Sequence, residues 1–198
     1  QDVKESRHTQ IIGEELLNNR NENVKIYDYS VDFNKQINTI TAAYGIGRKK
    51  QTVSSTANLS NGLSTFYNST RYPNEGSAVQ DLFAYSQINF SVYKKLDLLL
   101  GLRWNNSGLN AKFNNPSFSF HEIKNNNTSF VKSALISFIP MKNITINAAY
   151  YGGFRNPNID DIGKVFSKDD INVVIPNINL EPEYANNFEL SINSLVGP

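Results

Sequence analysis

The 198-residue sequence contains no cysteine and only two histidines. Without cysteine there can be no disulfide, no thiol catalysis and no cysteine-based metal site. The formal net charge of +1 is far from the basic excess of nucleic-acid-binding proteins, so no nucleic-acid partner is predicted. No run of about 18 apolar residues occurs, which excludes a membrane-spanning helix. A membrane-spanning β-strand is not excluded, because it needs only about 10 residues of alternating polarity.

Alternation of apolar and polar side chains is the strongest pattern that the sequence does contain. In residues 96–105 (LDLLLGLRWN), Leu98, Leu100 and Leu102 share one face, and Arg103 lies on the other. This period of two is typical of a β-strand. Segments with clear or weaker alternation predict about seven strands in total, at 24–36, 39–46, 81–92, 96–105, 129–139, 143–151 and 186–193.

The connections between these segments alternate strictly in length. Tight turns are predicted near 36–39, 94–96 and 140–143, and long connections at about 58–78, 106–128 and 154–183. In an antiparallel meander, this alternation places every tight turn at one end and every long loop at the other, as in outer-membrane barrels. A soluble antiparallel sandwich is the alternative, although its Greek-key crossings break a simple meander. The predicted fold class is therefore all-β, an antiparallel meander forming part of a transmembrane outer-membrane β-barrel.

A barrel of this kind requires an apolar outer surface and a polar lumen. The apolar residues expected to face lipid are Leu98, Leu100, Leu102, Ile144, Ile146, Leu190 and Ile192. The residues expected to face the lumen are Arg103, Asn147, Asn187 and Glu189.

The first 22 residues differ from the rest, because they are polar and lack clear alternation. We expect residues 1–22 to form a loop, or a short helix around 10–19. The chain has no initiator methionine and begins and ends in mid-pattern, so it is expected to be a piece of a longer protein. About seven strands are also too few to close a bacterial barrel, which needs at least 8. Residues 1–198 are therefore expected to form a partial barrel domain. The strands near 24–35 and 184–195 would both pair with segments outside the chain.

The stretch GGFRNPNIDD at 152–161 raises the question of why a strand ends there. Pro157 cannot continue a central strand, and a charged, turn-rich segment follows it. A Phe-Arg-x-Pro box (Phe154, Arg155, Pro157) opens the long connection. A second box closes it, and its members are Asn177, Leu180, Pro182, Glu183 and Glu189. Both boxes, in this order around a loop between two strands, make residues 24–192 resemble the barrel of a TonB-dependent outer-membrane receptor of the kind abundant in the Bacteroidetes.

The resemblance implies a 22-stranded barrel that encloses a plug domain. Such receptors bind a scarce nutrient at the cell surface, such as an iron chelate, haem, cobalamin or a glycan, and the TonB complex then acts on the plug to admit it. The implied partners are outer-membrane lipid, the remainder of the barrel and the plug, the TonB complex and a small nutrient ligand. In haem-transporting members, boxes like these flank a loop with a histidine ligand. Residues 158–175 contain no histidine, which weakens the haem interpretation.

The resemblance also gives the two boxes a structural role at the outer rim. Arg155 is expected to anchor this rim, paired with Glu183 or Glu189, and a ligand contact is its alternative role. The loop residues best suited by exposure and chemistry to bind a ligand are Tyr67, Arg71, Tyr72, His121, Arg155 and Lys164. Tyrosine and arginine suit anionic or aromatic chelates through stacking and charge. Each of these residues is also an ordinary loop residue in the simpler interpretation.

No catalytic or metal-binding arrangement is evident. His8 and His121 lie in no metal-ligand motif, and the carboxylate pairs at 160–161 and 169–170 lack the ligand spacing of a calcium loop. No cofactor is predicted, and the chain is not expected to be an enzyme. Two alternatives to an energy-coupled importer remain, a passive outer-membrane pore and a soluble β-rich binding or adhesin module.

Overall fold

The computed structural model describes residues 1–10, 13, 15–68, 70, 72–114, 121–162, 166–167, 173–174 and 177–195. Nearly all of them belong to long antiparallel strands. The elements are β1 (Asp2–Gln10), β2 (Leu17–Ile37), β3 (Ile40–Ser60), β4 (Thr65–Tyr67), β5 (Ser77–Tyr93), β6 (Leu96–Lys112), β7 (Glu122–Met141), β8 (Ile144–Arg155), α1 (Ile159–Ile162), β9 (Phe166–Ser167), β10 (Val173–Val174) and β11 (Glu183–Ser194). No helix in the described part of the chain is long and apolar enough to span a membrane.

One sheet contains all the long strands, in the order β1-β2-β3-β5-β6-β7-β8-β11, and β4 pairs with β3 beside this path. Every pairing in it is antiparallel. The predicted meander is confirmed. We refer to this sheet as the wall.

Three tight turns lie at one end of the wall, at 38–39, 94–95 and 142–143, as predicted. Asn38 has a φ of 51°, a left-handed conformation that asparagine tolerates better than most residues. The turns are staggered. Ile40, next to the first turn, pairs with Phe90, and Leu96, next to the second turn, pairs with Phe138. Each successive turn therefore extends about three residues beyond the turn before it, away from the opposite end of the wall.

Two predictions about where the strands begin and end are wrong. Residues 2–10 form β1 and residues 17–22 begin β2, whereas a loop or short helix was expected over 1–22. The strands β6 and β7 also extend well into the predicted loop at 106–128, whereas β3 and β5 enter the predicted loop at 58–78 only at 58–60 and 77–78. In residues 2–10, 17–22 and 122–128, polar residues occupy both faces of the strand, so the period-two signal is weak even though the backbone hydrogen bonds continue. In residues 106–112 the alternation is present but reversed, with Leu109 and Ala111 on the inner face. The long strands therefore number eight, instead of about seven.

The two edges of the wall are paired on one side only in the described residues. β11 pairs with β8, and residues 27–37 of β2 pair with β3. Residues 17–25 of β2 have a second partner in β1, and Ile26 has one in Gln1. The prediction of a partner outside the chain is therefore wrong for residues 24–26. For residues 27–35 and for β11, partners outside the chain remain a prediction.

The register divides the wall into two faces, because directly paired residues point the same way. The inner face carries Arg103, Asn147, Asn187 and Glu189. The outer face carries the seven residues expected to face lipid, which are Leu98, Leu100, Leu102, Ile144, Ile146, Leu190 and Ile192. The predicted separation of these two sets is confirmed.

The buried core lies on the inner face, at the end of the wall opposite to the turns. Its strand members are Val53, Leu109, Ala111 and Ile123, with Phe113 just beyond β6. Ile159 and Ile162, which belong to the connection between β8 and β11, complete it. The connection therefore folds back over the inner face.

Candidate functional site

The segment 156–162 leaves β8 and turns onto the inner face through a single helical turn. Asn158 begins this turn, and its side-chain oxygen accepts hydrogen bonds from the backbone N–H of Asp160 and Asp161, at 2.7 and 3.1 Å. A carboxylate oxygen of Asp161 in turn accepts the backbone N–H of Asn158 at 3.0 Å. This reciprocal arrangement is the capping box that an Asn-x-x-Asp sequence can form. It explains why the chain after Pro157 coils instead of extending.

Two isoleucines pack this helical turn against the inner face of the wall. Ile159 and Ile162 are three residues apart, so they lie on the same side of the helical turn. Ile162 is fully buried, and Ile159 is 5% exposed. Leu180, from the returning part of the connection, packs against the same cluster. The apolar side chains of the connection therefore hold it against the inner face.

Three sets of hydrogen bonds attach the connection to the rest of the chain. The Tyr72 hydroxyl lies 3.0 Å from a carboxylate oxygen of Asp160. The Ser129 hydroxyl donates to the Asn156 side chain at 2.9 Å. The Asn125 amide donates to the carbonyl oxygens of residues 178 and 180, at 2.9 and 3.0 Å. Because Ser129 and Asn125 are buried, their hydrogen bonds satisfy groups that would otherwise be costly to remove from water.

Arg155 links the end of β8 to both parts of the connection. One of its terminal nitrogens contacts both carboxylate oxygens of Asp161, at 2.8 and 2.7 Å. The other contacts Glu183 at 3.2 Å. The hydrogen bonds and charge of Asp161, followed by the charge of Glu183, raise the pKa of Arg155. The predicted pairing with Glu183 is confirmed, and Asp161 is an additional partner.

A polar cavity of about 550 Å³ lies between this connection and the wall. The connection contributes Asn156, Asn158 and Asp160, and the wall contributes residues of β2, β3, β5 and β6. The charged members from the wall are Asp28, Lys49, Asp81 and Arg103. Carboxylates, cations and amides thus face one space, which can bind a polar solute through both donors and acceptors.

An aromatic layer forms one side of the cavity. The Phe83 ring lies over Gly47, where an added Cβ would come within 2.3 Å of the ring. The Arg103 guanidinium lies 4.7 Å from the centre of the same ring, at a distance suited to a cation–π contact. Next to it, Tyr85 crosses over Gly45 and donates to Asp32 at 2.6 Å. Two glycines in β3 therefore make room for two rings from β5.

The predicted ligand-binding residues do not form one cluster in the described part of the chain. Tyr72 and Arg155 both contact the 156–162 segment, through Asp160 and Asp161. His121 is exposed just before β7, where its carbonyl accepts the Phe113 N–H. Tyr67 ends β4. Arg71 and Lys164 lie outside the described residues.

The two boxes of the sequence lie where the connection leaves β8 and where it returns to β11. Phe154 lines the cavity, and Pro157 is buried. The Asn177 side chain accepts the N–H of residue 179 at 3.0 Å, and Pro182 is half-buried before β11. Glu189 lies on the inner face, where the Tyr151 hydroxyl donates to it at 3.3 Å. Glu189 therefore contacts Tyr151, and the partner of Arg155 is Glu183.

Sequence reasoning missed Asp161, Ile159, Ile162 and the amide of Asn125. The Asn-x-x-Asp capping pattern followed by an i, i+3 isoleucine pair was the available signal for the first three. Nothing in the local sequence indicates the role of Asn125. No group of three or more His, Asp or Glu side chains that could hold a metal ion occurs among the described residues.

A family model described as TonB dependent receptor-like, beta-barrel matches residues 5–197. The chain belongs to this family. The wall is accordingly part of the outer-membrane β-barrel of a TonB-dependent receptor. No curated protein matches the chain.

Solved structures of three transport proteins have a similar fold. The ferric yersiniabactin uptake receptor FyuA from Yersinia pestis is 14% identical, with a TM-score of 0.61 over 96% of this chain and 29% of its own. The copper transporter OprC is 8% identical, with a TM-score of 0.71 over 89% and 28%. The siderophore receptor PiuA from Acinetobacter baumannii is 15% identical, with a TM-score of 0.59 over 91% and 31%. The chain thus spans about 30% of the length of each of these three proteins.

Proposed function

We propose that this chain is a wall segment of a receptor in the outer membrane of a Gram-negative bacterium. The receptor would bind a scarce nutrient at the cell surface and import it by energy-coupled transport. The remainder of the barrel, a plug domain and the TonB complex are its proposed partners. The observation that carries the proposal is the inward-folded connection at 156–162, which borders a polar cavity on the inner face of the wall of a chain that belongs to this family.

The chemistry of the cavity suits recognition more than catalysis. Asp28, Asp81 and Asp160 line it together with Lys49, Arg103 and several amides. Such a lining binds a polar solute reversibly, whereas catalysis would need a nucleophile, a base and an oxyanion donor in fixed geometry. The members of this family are transport receptors, and the protein is proposed to be one of them and not an enzyme.

Two sets of residues have proposed roles. Arg155, with Asp161 and Glu183, holds the connection in place, and the other members of the two boxes shape its root. Tyr72, together with the lining residues Lys49 and Arg103, is best placed to meet a ligand that enters beside the connection. Tyr67, Arg71, His121 and Lys164 remain candidate ligand contacts from the sequence alone.

A passive pore is the second candidate, because an inward-folded loop can also narrow an open channel. Genetics separates the two functions. A strain lacking the gene is grown with limiting iron chelate, cobalamin or haem, and with glycans or peptides as nutrients. We expect one growth defect, which the intact gene restores only when TonB is present. Restoration without TonB would indicate a passive pore, and the absence of any defect would argue against nutrient uptake.

A further inference from the structure

One row of polar side chains crosses the inner face of the wall beside the 156–162 segment. Cross-strand pairing aligns Asp28 of β2, Lys49 of β3, Asp81 of β5 and Ser107 of β6, and all four line the cavity of the candidate site. We refer to these four residues as the polar row. Because neighbouring strands lie about 4.8 Å apart, the polar row spans roughly 14 Å and presents one polar side chain per strand.

The charges of the polar row alternate in sign. Lys49 lies between Asp28 and Asp81 in the register, so each cation or carboxylate has an opposite charge on the next strand. Among the residues that the structure describes, none of these three side chains is closed into an ion pair. The neighbouring charges therefore compensate one another, while their hydrogen-bonding groups face the cavity.

The other charged residues of the cavity maintain this balance. Arg103 lies over the Phe83 ring at 4.7 Å, and Asp160 faces the cavity from the connection, where it contacts the Tyr72 hydroxyl. The described lining thus contains three carboxylates and two cations. A cleft concentrates an ionic ligand by an excess of the opposite charge, and this lining has no excess of cations for an anionic chelate.

A hydroxyl group is the ligand group that fits between alternating charges. Its oxygen can donate one hydrogen bond and accept another, so a hydroxyl between Asp81 and Lys49 donates to the carboxylate and accepts from the ammonium. Both hydrogen bonds are then of the stronger, charge-assisted kind. A ligand ammonium would meet Lys49 as a like charge, and a ligand carboxylate would meet Asp28 and Asp81. The polar row therefore favours a ligand with many hydroxyls and no net charge.

The spacing of the polar row adds a requirement of shape. The separation of neighbouring strands is close to the length of one sugar unit in a linear oligosaccharide, so successive units meet successive strands. The Phe83 ring and Pro157 also line the cavity, and they provide the apolar surface against which the C–H face of a sugar ring packs. Hydroxyls and apolar faces alternate around such a ligand as they do in this cavity.

We propose that the cavity binds a linear, uncharged oligosaccharide whose chain crosses the strands along the polar row. About three sugar units would lie between Asp28 and Ser107, and the amides of Asn156 and Asn158 would contact the chain from the connection. The proposal rests on the nutrient-receptor function proposed above and names the class of nutrient. It assigns the recognition of that nutrient to the wall itself.

Isothermal titration calorimetry of the complete receptor in detergent tests the proposal. The neutral probes are linear oligomers of glucose, mannose, galactose or xylose, from the single sugar to the trimer. The galacturonic acid trimer is the anionic probe, and ferric citrate, haem and cobalamin are the other nutrients.

The variants change the charges of the polar row without changing the size of its carboxylate side chains. Asp81→Asn and Lys49→Gln each remove one charge, and Asp28→Asn combined with Asp81→Asn leaves two cations and one carboxylate in the lining. The control, Asp97→Asn, removes a carboxylate from the same inner face beside the turn at 94–95.

We expect one neutral series to bind, and its affinity to rise from the single sugar to the trimer. Asp81→Asn and Lys49→Gln should each weaken trimer binding on the order of tenfold, because each loses a hydrogen bond to a charged group. The double aspartate variant should gain binding of the galacturonic acid trimer, which the parent does not bind. This gain requires a folded cavity, so it excludes misfolding as the cause of a loss. The control should bind as the parent does.

The outcomes separate this assignment from the proposed receptor function. Binding of ferric citrate, haem or cobalamin in place of every neutral oligomer would overturn the oligosaccharide and leave the receptor function intact. A single sugar that binds as tightly as its trimer, or equal trimer binding by the parent, Asp81→Asn and Lys49→Gln, would overturn the polar row as the site. If no probe binds, the oligosaccharide assignment is overturned, and the growth experiment with and without TonB decides the receptor function separately.

Discussion

The strand β6 passes through two environments, and its polarity reverses between them. Near the turns, Leu98, Leu100 and Leu102 lie on the outer face, and Arg103 lies on the inner face. Beyond Trp104 the outer residues are Asn106 and Asn110, whereas Leu109 and Ala111 are buried inside. One continuous strand thus has its apolar side outward in one half and inward in the other.

This reversal shows that the surroundings, and not the strand, determine which face is apolar. In the half next to the turns, lipid covers the outer face and favours apolar side chains there. In the far half, the outer face carries polar side chains such as Asn106 and Asn110, and the folded connection brings Ile159 and Ile162 to the inner face. The hydrophobic effect acts in both halves, but it acts on opposite faces.

The largest expected effect comes from a charge on the outer face of the lipid-facing half. Leu100→Arg should lower the free energy of unfolding by about 3 kcal/mol, because a cation near the middle of the bilayer is costly. Asn106→Arg, on the same face but beyond Trp104, should change it by less than about 1 kcal/mol. Urea unfolding of the complete protein in lipid vesicles measures both values. Equal costs would mean that lipid does not end near Trp104.

The second effect concerns the core on the inner face of the far half. Ile162→Ala should lower the opening free energy of 156–162 by about 2 kcal/mol, because it leaves a cavity in a fully buried site. Ile178→Ala, at a side chain that is 53% exposed, is the control and should have little effect. Hydrogen–deuterium exchange of the segment reports the change. Unchanged protection in Ile162→Ala would show that the isoleucines do not hold the connection.

The third effect lies at the boundary between the halves. Gly47→Ala should cost about 1 kcal/mol, because the new methyl group displaces the Phe83 ring and the Arg103 contact above it. Gly153→Ala has open space around the new Cβ and should be neutral or slightly stabilising. Thermal unfolding compares the two variants. If Gly47→Ala were as stable as Gly153→Ala, the ring would not be fixed over β3.

The smallest effect on global stability is expected at Arg155, because its ion pairs are exposed. Arg155→Gln should leave unfolding nearly unchanged and increase the rate at which protease cuts the connection between β8 and β11. Arg7→Gln, which removes an equally exposed ion pair with Glu5, should not change that rate. The experiment therefore separates a local attachment from a general loss of charge. Equal cleavage rates in the two variants would show that Arg155 does not hold the connection in place.

The same two halves explain what could be predicted from the sequence. The alternation of residues 96–105 and 143–151 correctly placed the strands and both of their faces, because lipid and lumen impose different polarity on neighbouring residues. Residues 2–10 and 17–22 are strands with polar side chains on both faces, and no periodic signal marks them. The contact of Arg155 with Glu183 followed from two boxes that flank one loop.

The candidate site was harder to predict because its parts come together through long-range contacts. Asn125 binds carbonyl groups more than 50 residues away along the chain, which no local pattern indicates. The core joins residues of three strands to a single helical turn. By contrast, the Asn-x-x-Asp pattern and the isoleucine pair of that turn are local features, and they could have predicted that the connection coils and buries one side.

The stagger of the turns sets how steeply the strands cross the membrane. If the three turns lie at one depth, a shift of about three residues per pair of strands corresponds to a slope of about 45°. Each residue then advances only about 2.3 Å along the membrane normal, so an apolar band of about 25 Å requires about 11 residues. Counted from the turns at 38–39 and 94–95, this distance reaches Tyr27 on β2 and Asn106, two residues beyond Trp104, on β6. The offset between hairpins thereby decides which aromatic rings meet the lipid headgroups.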